Sequence, residues 1–243
     1  MKKLGKSTFV SLIAVFAAFN VVCDSLVGPP IPYSGVWFSW IFVSEPITGI
    51  LLTPLASFFS VLIGVMVGHF INFIGVEEFL FTLGAPVGAM ISSLVFRGKW
   101  SIPLIYYMAL LSAFFVTPIS WQLPLWGMWD VYLAFICLLG TSLVVGRWRK
   151  LWNTKSSSCL IYILALSTFI GLEADVLFRI FVFIPCQTYK LFYNLDVIGL
   201  QSIWVVGAVE TSTKAALSTL IAAIVGLPII GAVRKMGLKT LED

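Results

Sequence analysis

Charge is scarce in this sequence. Acidic and basic residues together make up 11% of its 243 positions while 60% are hydrophobic, whereas roughly a quarter of a soluble domain is charged. That shortage excludes a soluble globular domain, and a mean hydropathy of +1.03 marks an integral membrane protein. Histidine occurs once, at His69, so imidazole pairs for zinc binding or acid–base chemistry are missing, and a packed or interface histidine is expected there. The four cysteines, Cys23, Cys137, Cys159 and Cys186, lack CxxC spacing and imply neither a metal site nor a disulfide framework. GxSxG, HExxH and Walker motifs are absent, so the sequence points to no catalytic residue, no metal, no cofactor and no enzyme. Without a nucleotide-binding loop, any active transport depends on partner subunits or an ion gradient.

The net charge of +4 is informative through its placement rather than as a sign of nucleic-acid binding, which is not expected. Twelve of the fifteen cations fall in four clusters: Lys2, Lys3 and Lys6; Arg97 and Lys99; Arg147, Arg149, Lys150 and Lys155; Arg234, Lys235 and Lys239. Each flanks an apolar run, and cytoplasmic loops of membrane proteins carry such excesses. Apolar runs then give helices over residues 7–27, about 37–52, 55–74, 83–96, 102–119, 131–146, 159–184 and 203–233. Thr53-Pro54 breaks the second from the third, and Gly64 and Gly68 give the third a close-packing face. The reading is an all-α, polytopic membrane bundle forming one transmembrane domain over residues 1–243. It has about eight crossings, with both termini in the cytoplasm. The turn-rich stretch at residues 28–35 is expected outside.

Against this background the segment TFIGLEADVLFRIFVF (residues 168–183) stands out, because Glu173, Asp175 and Arg179 lie in an otherwise spanning run. Each ionisable group at a helix centre costs roughly 2.5–3.5 kcal/mol on insertion scales, so such groups face a bundle interior or a wet cavity. Asp175 and Arg179 are four apart and share a face; Glu210 and Lys214 repeat the pairing in the last helix. Glu173 is about 200° around the helix from Asp175 and must face elsewhere, toward Lys214 or a ligand. Such pairs serve either as structural locks or as a site for a small molecule. An aromatic wall from Trp37 and Trp40 would complete a pocket, although tryptophans also collect at membrane interfaces. Ala14 and Ala18, with Ala17 beside them, form a small-residue face on which another helix can pack.

Several of these stretches resemble the substrate-binding S component of energy-coupling factor (ECF) transporters, the prokaryotic vitamin importers. They are the first helix with Ala14 and Ala18, ITGILLTPLASFFSVLIGVMVG (residues 47–68), LGAPVGAMISSLVFRGKW (residues 83–100) and TSTKAALSTLIAAIVGLPIIGAVRK (residues 211–235). The family has six helices, so the eight counted here amount to a six-helix core plus two, the surplus lying around residues 130–184. Where thiamine-binding members carry an acid and an aromatic, Phe81 and Thr82 stand here. The resemblance implies a plasma-membrane subunit that captures a small organic molecule from outside, docked through Ala14, Ala17 and Ala18 on a transmembrane coupling subunit driven by two cytoplasmic ATPases. Substrate-binding residues are then expected at Trp37, Trp40, Glu173, Asp175, Arg179, Glu210 and Lys214. The alternative is an accessory or scaffolding subunit of a larger membrane complex, with the charged pairs as interhelical locks.

Overall fold

The computed structural model describes residues 6–26, 39–72, 75, 78–143 and 157–235. Every regular element among them is helical: α1 (Lys6–Ser25), α2 (Ile41–Leu51), α3 (Pro54–Ile71), α4 (Glu78–Thr82), α5 (Gly84–Phe96), α6 (Ser101–Val116), α7 (Trp129–Leu143), α8 (Ser157–Phe183), α9 (Thr188–Leu191) and α10 (Val197–Lys235). Two short 3₁₀ turns, Pro118–Gln122 and Leu125–Met128, join α6 to α7. Five segments are long and apolar enough to cross a bilayer: Pro54–Ile71, Glu78–Phe96, Leu125–Leu143, Ser158–Phe183 and Val197–Ala232. The chain is an all-α membrane bundle. Each of the eight apolar runs read from the sequence is helical where it is described; α1 has 20 residues, while α2 and α6, with 11 and 16, fall short of spanning length. The last helix starts at Val197 rather than near residue 203, and the segment before it carries α9. The expected loop at residues 28–35, Glu77 and the basic loop at residues 147–155 lie outside the described residues.

The shortest of the helices formed by the eight apolar runs, α2, occupies the centre. At about 1.5 Å per residue α2 is too short to cross a hydrocarbon core of roughly 30 Å, yet ten of its residues are buried. It packs against α1, α3, α5, α8 and α10. Pro46 lies inside it and has no amide proton, so the carbonyl of Phe42 lacks its helical donor. Ser218 of α10 donates its hydroxyl to that carbonyl at 2.7 Å. Asn20 of α1 binds the opposite face of α2: the Ser44 hydroxyl donates to Asn20 Oδ1 at 2.7 Å, and Asn20 Nδ2 donates to Thr48 at 3.1 Å. Leu52 and Thr53 are extended, and Pro54 opens α3 at a position where a missing amide proton is harmless.

Glycines set the close helix crossings. A Cβ on Gly64 would meet Ala17 and Asn20 of α1; Ala17 is accordingly buried, packed inward against α3. A Cβ on Gly88 of α5 would lie 2.8 Å from the Gly171 carbonyl of α8 and 2.8 Å from Glu45 Oε1 of α2, so three helices converge there because no side chain intervenes. Tyr107 and Tyr106 then tie α6 to α8 by donating to the carbonyls of Ile170 and Ala174 at 2.7 and 2.8 Å.

Candidate functional site: a two-chambered polar cavity

At the end of the bundle where α1 and α3 finish and α4 begins, α8 and α10 bring their charged turns together around an internal cavity of about 170 Å³. Asp175, Arg179, Glu210 and Lys214 all line it. The i,i+4 pairings read from the sequence are made. Arg179 grips Asp175 with two bonds, Nε to Oδ1 at 2.7 Å and Nη2 to Oδ2 at 3.0 Å, and the Lys214 ammonium donates to Glu210. Such bidentate, charge-assisted contacts fix the guanidinium plane as well as neutralising it.

The facing wall comes from α1, α3 and α4. His69 Nδ1 lies 2.9 Å from Asp24 Oδ2 and its Nε2 lies 2.6 Å from Thr82 Oγ1. Ser39 donates to the other Asp24 oxygen at 3.0 Å. A carboxylate–imidazole–hydroxyl chain is also the arrangement of nucleophilic hydrolases. Here the Thr82 hydroxyl additionally has the Glu78 carbonyl as an acceptor at 2.9 Å, and the chain joins three helices at the cavity wall. His69 is thus a packed histidine, and its ring stays at the site as a polar wall.

A second cavity of about 270 Å³ shares Glu78, Phe81, Val176, Arg179, Gly207 and Thr211 with the first. Its remaining lining is mostly apolar and aromatic, including Phe183, Tyr193 and Trp204. Trp204 is held in place, stacked on Phe114 with ring centres 5.7 Å apart and donating its indole proton to the Pro124 carbonyl at 3.1 Å. Tyr193 donates to Glu78 at 2.6 Å, and Thr211 to Asp130 at 2.6 Å. A polar chamber therefore continues into an apolar one, the combination that suits a small organic ligand with a polar head.

The structure places the other sequence-derived site residues as follows. Glu173 is fully buried and turned away from both cavities, as its angle from Asp175 requires. Both its oxygens lack a hydrogen-bond partner among the described residues, so it is not bonded to Lys214. Trp40 stacks on Phe42, ring centres 5.9 Å apart, and it is Phe42 that reaches the cavity. Trp37 lies outside the described residues. Ala14 and Ala18 are exposed on α1, whereas Ala17 is buried in the α1–α3 packing.

Sequence reasoning missed Asp24, Glu45 and Glu78. Glu45 is the most telling, because it is completely buried and neither carboxylate oxygen has a hydrogen-bond partner among the described residues. It sits one turn beyond Ile41, which lines the polar chamber, and close enough to Asp175, Arg179 and Lys214 to feel their charge. Its signal was available: it is an acid in the apolar run IFVSEPITGIL, with the same insertion penalty as Glu173.

The fold and site together define a helical membrane protein with a charged internal cavity at one end. No protein-family model, no curated protein and no solved structure matches the chain.

Proposed function

We propose that this chain is the membrane-embedded substrate-binding subunit of an ATP-driven micronutrient importer, capturing a small organic molecule from the external side. The observation that carries the proposal is the two-chambered cavity, in which the polar turns of α8 and α10 meet an aromatic wall. Arg97 and Lys99 follow α5 at the opposite end of the bundle, where Arg97 reaches the Gly49 and Ser93 carbonyls. Positive residues favour the cytoplasm, which puts the cavity on the outer side. The sequence has no nucleotide-binding loop, so hydrolysis belongs to cytoplasmic ATPases coupled through a transmembrane partner. Exposed Ala14 and Ala18 give α1 a smooth outward face for that partner. The charged pairs close within their own helices, which favours a site over the interhelical locks that an accessory or scaffolding subunit needs.

Native mass spectrometry of the gently solubilised protein tests this reading. A substrate-binding subunit is expected to retain one small organic molecule. A preparation carrying only lipid and protein partners refutes it in favour of the scaffold.

A further inference from the structure

We infer that the molecule taken by this site is an organic cation, an ammonium group on an apolar or aromatic body. This rests on the substrate-binding reading above and adds the substrate's charge class.

The first observation is the local charge. The whole chain is net positive at +4 and has eleven carboxylates. Four of these, Asp24, Glu78, Asp175 and Glu210, line the polar chamber. Asp130 lines the apolar one, and Glu45 and Glu173 lie buried behind the walls. Against these acids the two chambers set two full cations, Arg179 and Lys214, with His69 as the one imidazole. Both cations already hold a carboxylate, Asp175 and Glu210 respectively. The site is acidic inside a basic protein.

The second observation is Glu45. Two oxygens with no exposure and no hydrogen-bond partner among the described residues lie beside Gly88, whose missing side chain leaves the space they occupy. A buried carboxyl keeps its charge only where a positive group compensates it and is otherwise neutral, so Glu45 behind the wall can answer a cation in the chamber but not an anion. An anionic ligand would add to the excess, and a neutral one would leave it standing.

The third is the form of the walls. Among the described residues no three His, Cys, Asp or Glu side chains converge in a metal-binding group, so the acids surround a volume rather than a point. Phe81, Phe183, Tyr193 and Trp204 line the adjoining chamber. Aromatic faces attract ammonium groups and pack against an apolar body.

The experiment starts from the mass and identity of the small molecule retained by the purified protein. It continues with thermal unfolding of ligand-depleted protein in the presence of 2-phenylethylamine, 2-phenylethanol or phenylacetate, three probes of matched shape and different charge. The expected result is a retained molecule with a basic or quaternary nitrogen and stabilisation by the amine alone. Glu45→Gln and Glu78→Gln are each expected to weaken the amine response about tenfold or more, the second variant serving if the first does not fold. A retained ligand that is neutral or anionic, or equal stabilisation by 2-phenylethanol or phenylacetate, overturns the charge assignment and leaves the substrate-binding reading intact. With no small molecule retained and no response to any probe, the substrate-binding reading fails and this inference falls with it.

Discussion

Because Pro46 withholds the amide proton that Phe42 would otherwise receive, one hydroxyl on another helix decides how well α2 is satisfied. Ser218→Ala leaves the Phe42 carbonyl buried without that donor, and a loss of about 1–3 kcal/mol is expected in denaturant or thermal unfolding, with Ser218→Thr largely restoring it. His69 supports a second prediction. His69→Ala removes the ring that lies 2.9 Å from Asp24 and 2.6 Å from Thr82, and a loss of about 1–3 kcal/mol is expected in thermal unfolding. The loss in Asp24→Asn/His69→Ala should be smaller than the two single losses added together, because both substitutions break the same contact. The residues that sequence reasoning found and those it missed separate along this line. Asp175–Arg179 and Glu210–Lys214 are four residues apart, so helix geometry alone predicts them. Asp24 and His69 are 45 positions apart, and nothing local announces that they meet. Glu173 was readable in direction but not in partnership, since its angle excludes the cavity without saying what lies on the other side.

At the scale of elements, apolar periodicity recovered every long helix, and the Thr53-Pro54 break fell where backbone chemistry demands it. What it did not reveal is rank. α2 is the shortest of the eight helices these runs form and also the most enclosed, because its role is to be surrounded rather than to span. The crossing of α5 and α8 depends on two glycines. Gly171→Leu would drive a side chain into Ser92 and the Gly88 carbonyl, and such overpacking is expected to lower stability by about 1–3 kcal/mol or more, read as a lower melting temperature and loss of the monodisperse peak in gel filtration. Helix α1 has two distinct faces, and they can be separated by experiment. Ala14→Trp with Ala18→Trp is expected to preserve folding while abolishing co-purification of the proposed coupling subunit. Ala17→Trp instead enters the α3 contact and should unfold the bundle. Intact co-purification with both outward tryptophans present would dismiss α1 as the docking helix.

For the molecule as a whole, the proposed orientation puts the cavity end outside, and the turn between α8 and α9 carries the exposed Cys186. In a variant whose other three cysteines are serine, a membrane-impermeant maleimide is expected to label Cys186 in intact cells without permeabilisation; labelling only after lysis reverses the orientation. The class of fold was legible in the sequence, since long continuous apolar runs satisfy their backbone in lipid as helices, whereas a closed barrel needs short segments of alternating polarity. The cavity was not, because its polar chamber is a product of how seven helices meet. The length of α10 has a consequence for how the molecule sits in a bilayer. Its spanning segment runs 36 residues, about 54 Å of helix against a hydrocarbon layer of roughly 30 Å. Upright, more than 20 Å of it would stand outside that layer, and at about 40°, the upper end of observed tilts, roughly 15 Å of its length still would. A helix of that length exceeds the layer at any ordinary tilt, so part of α10 is expected to project beyond the lipid.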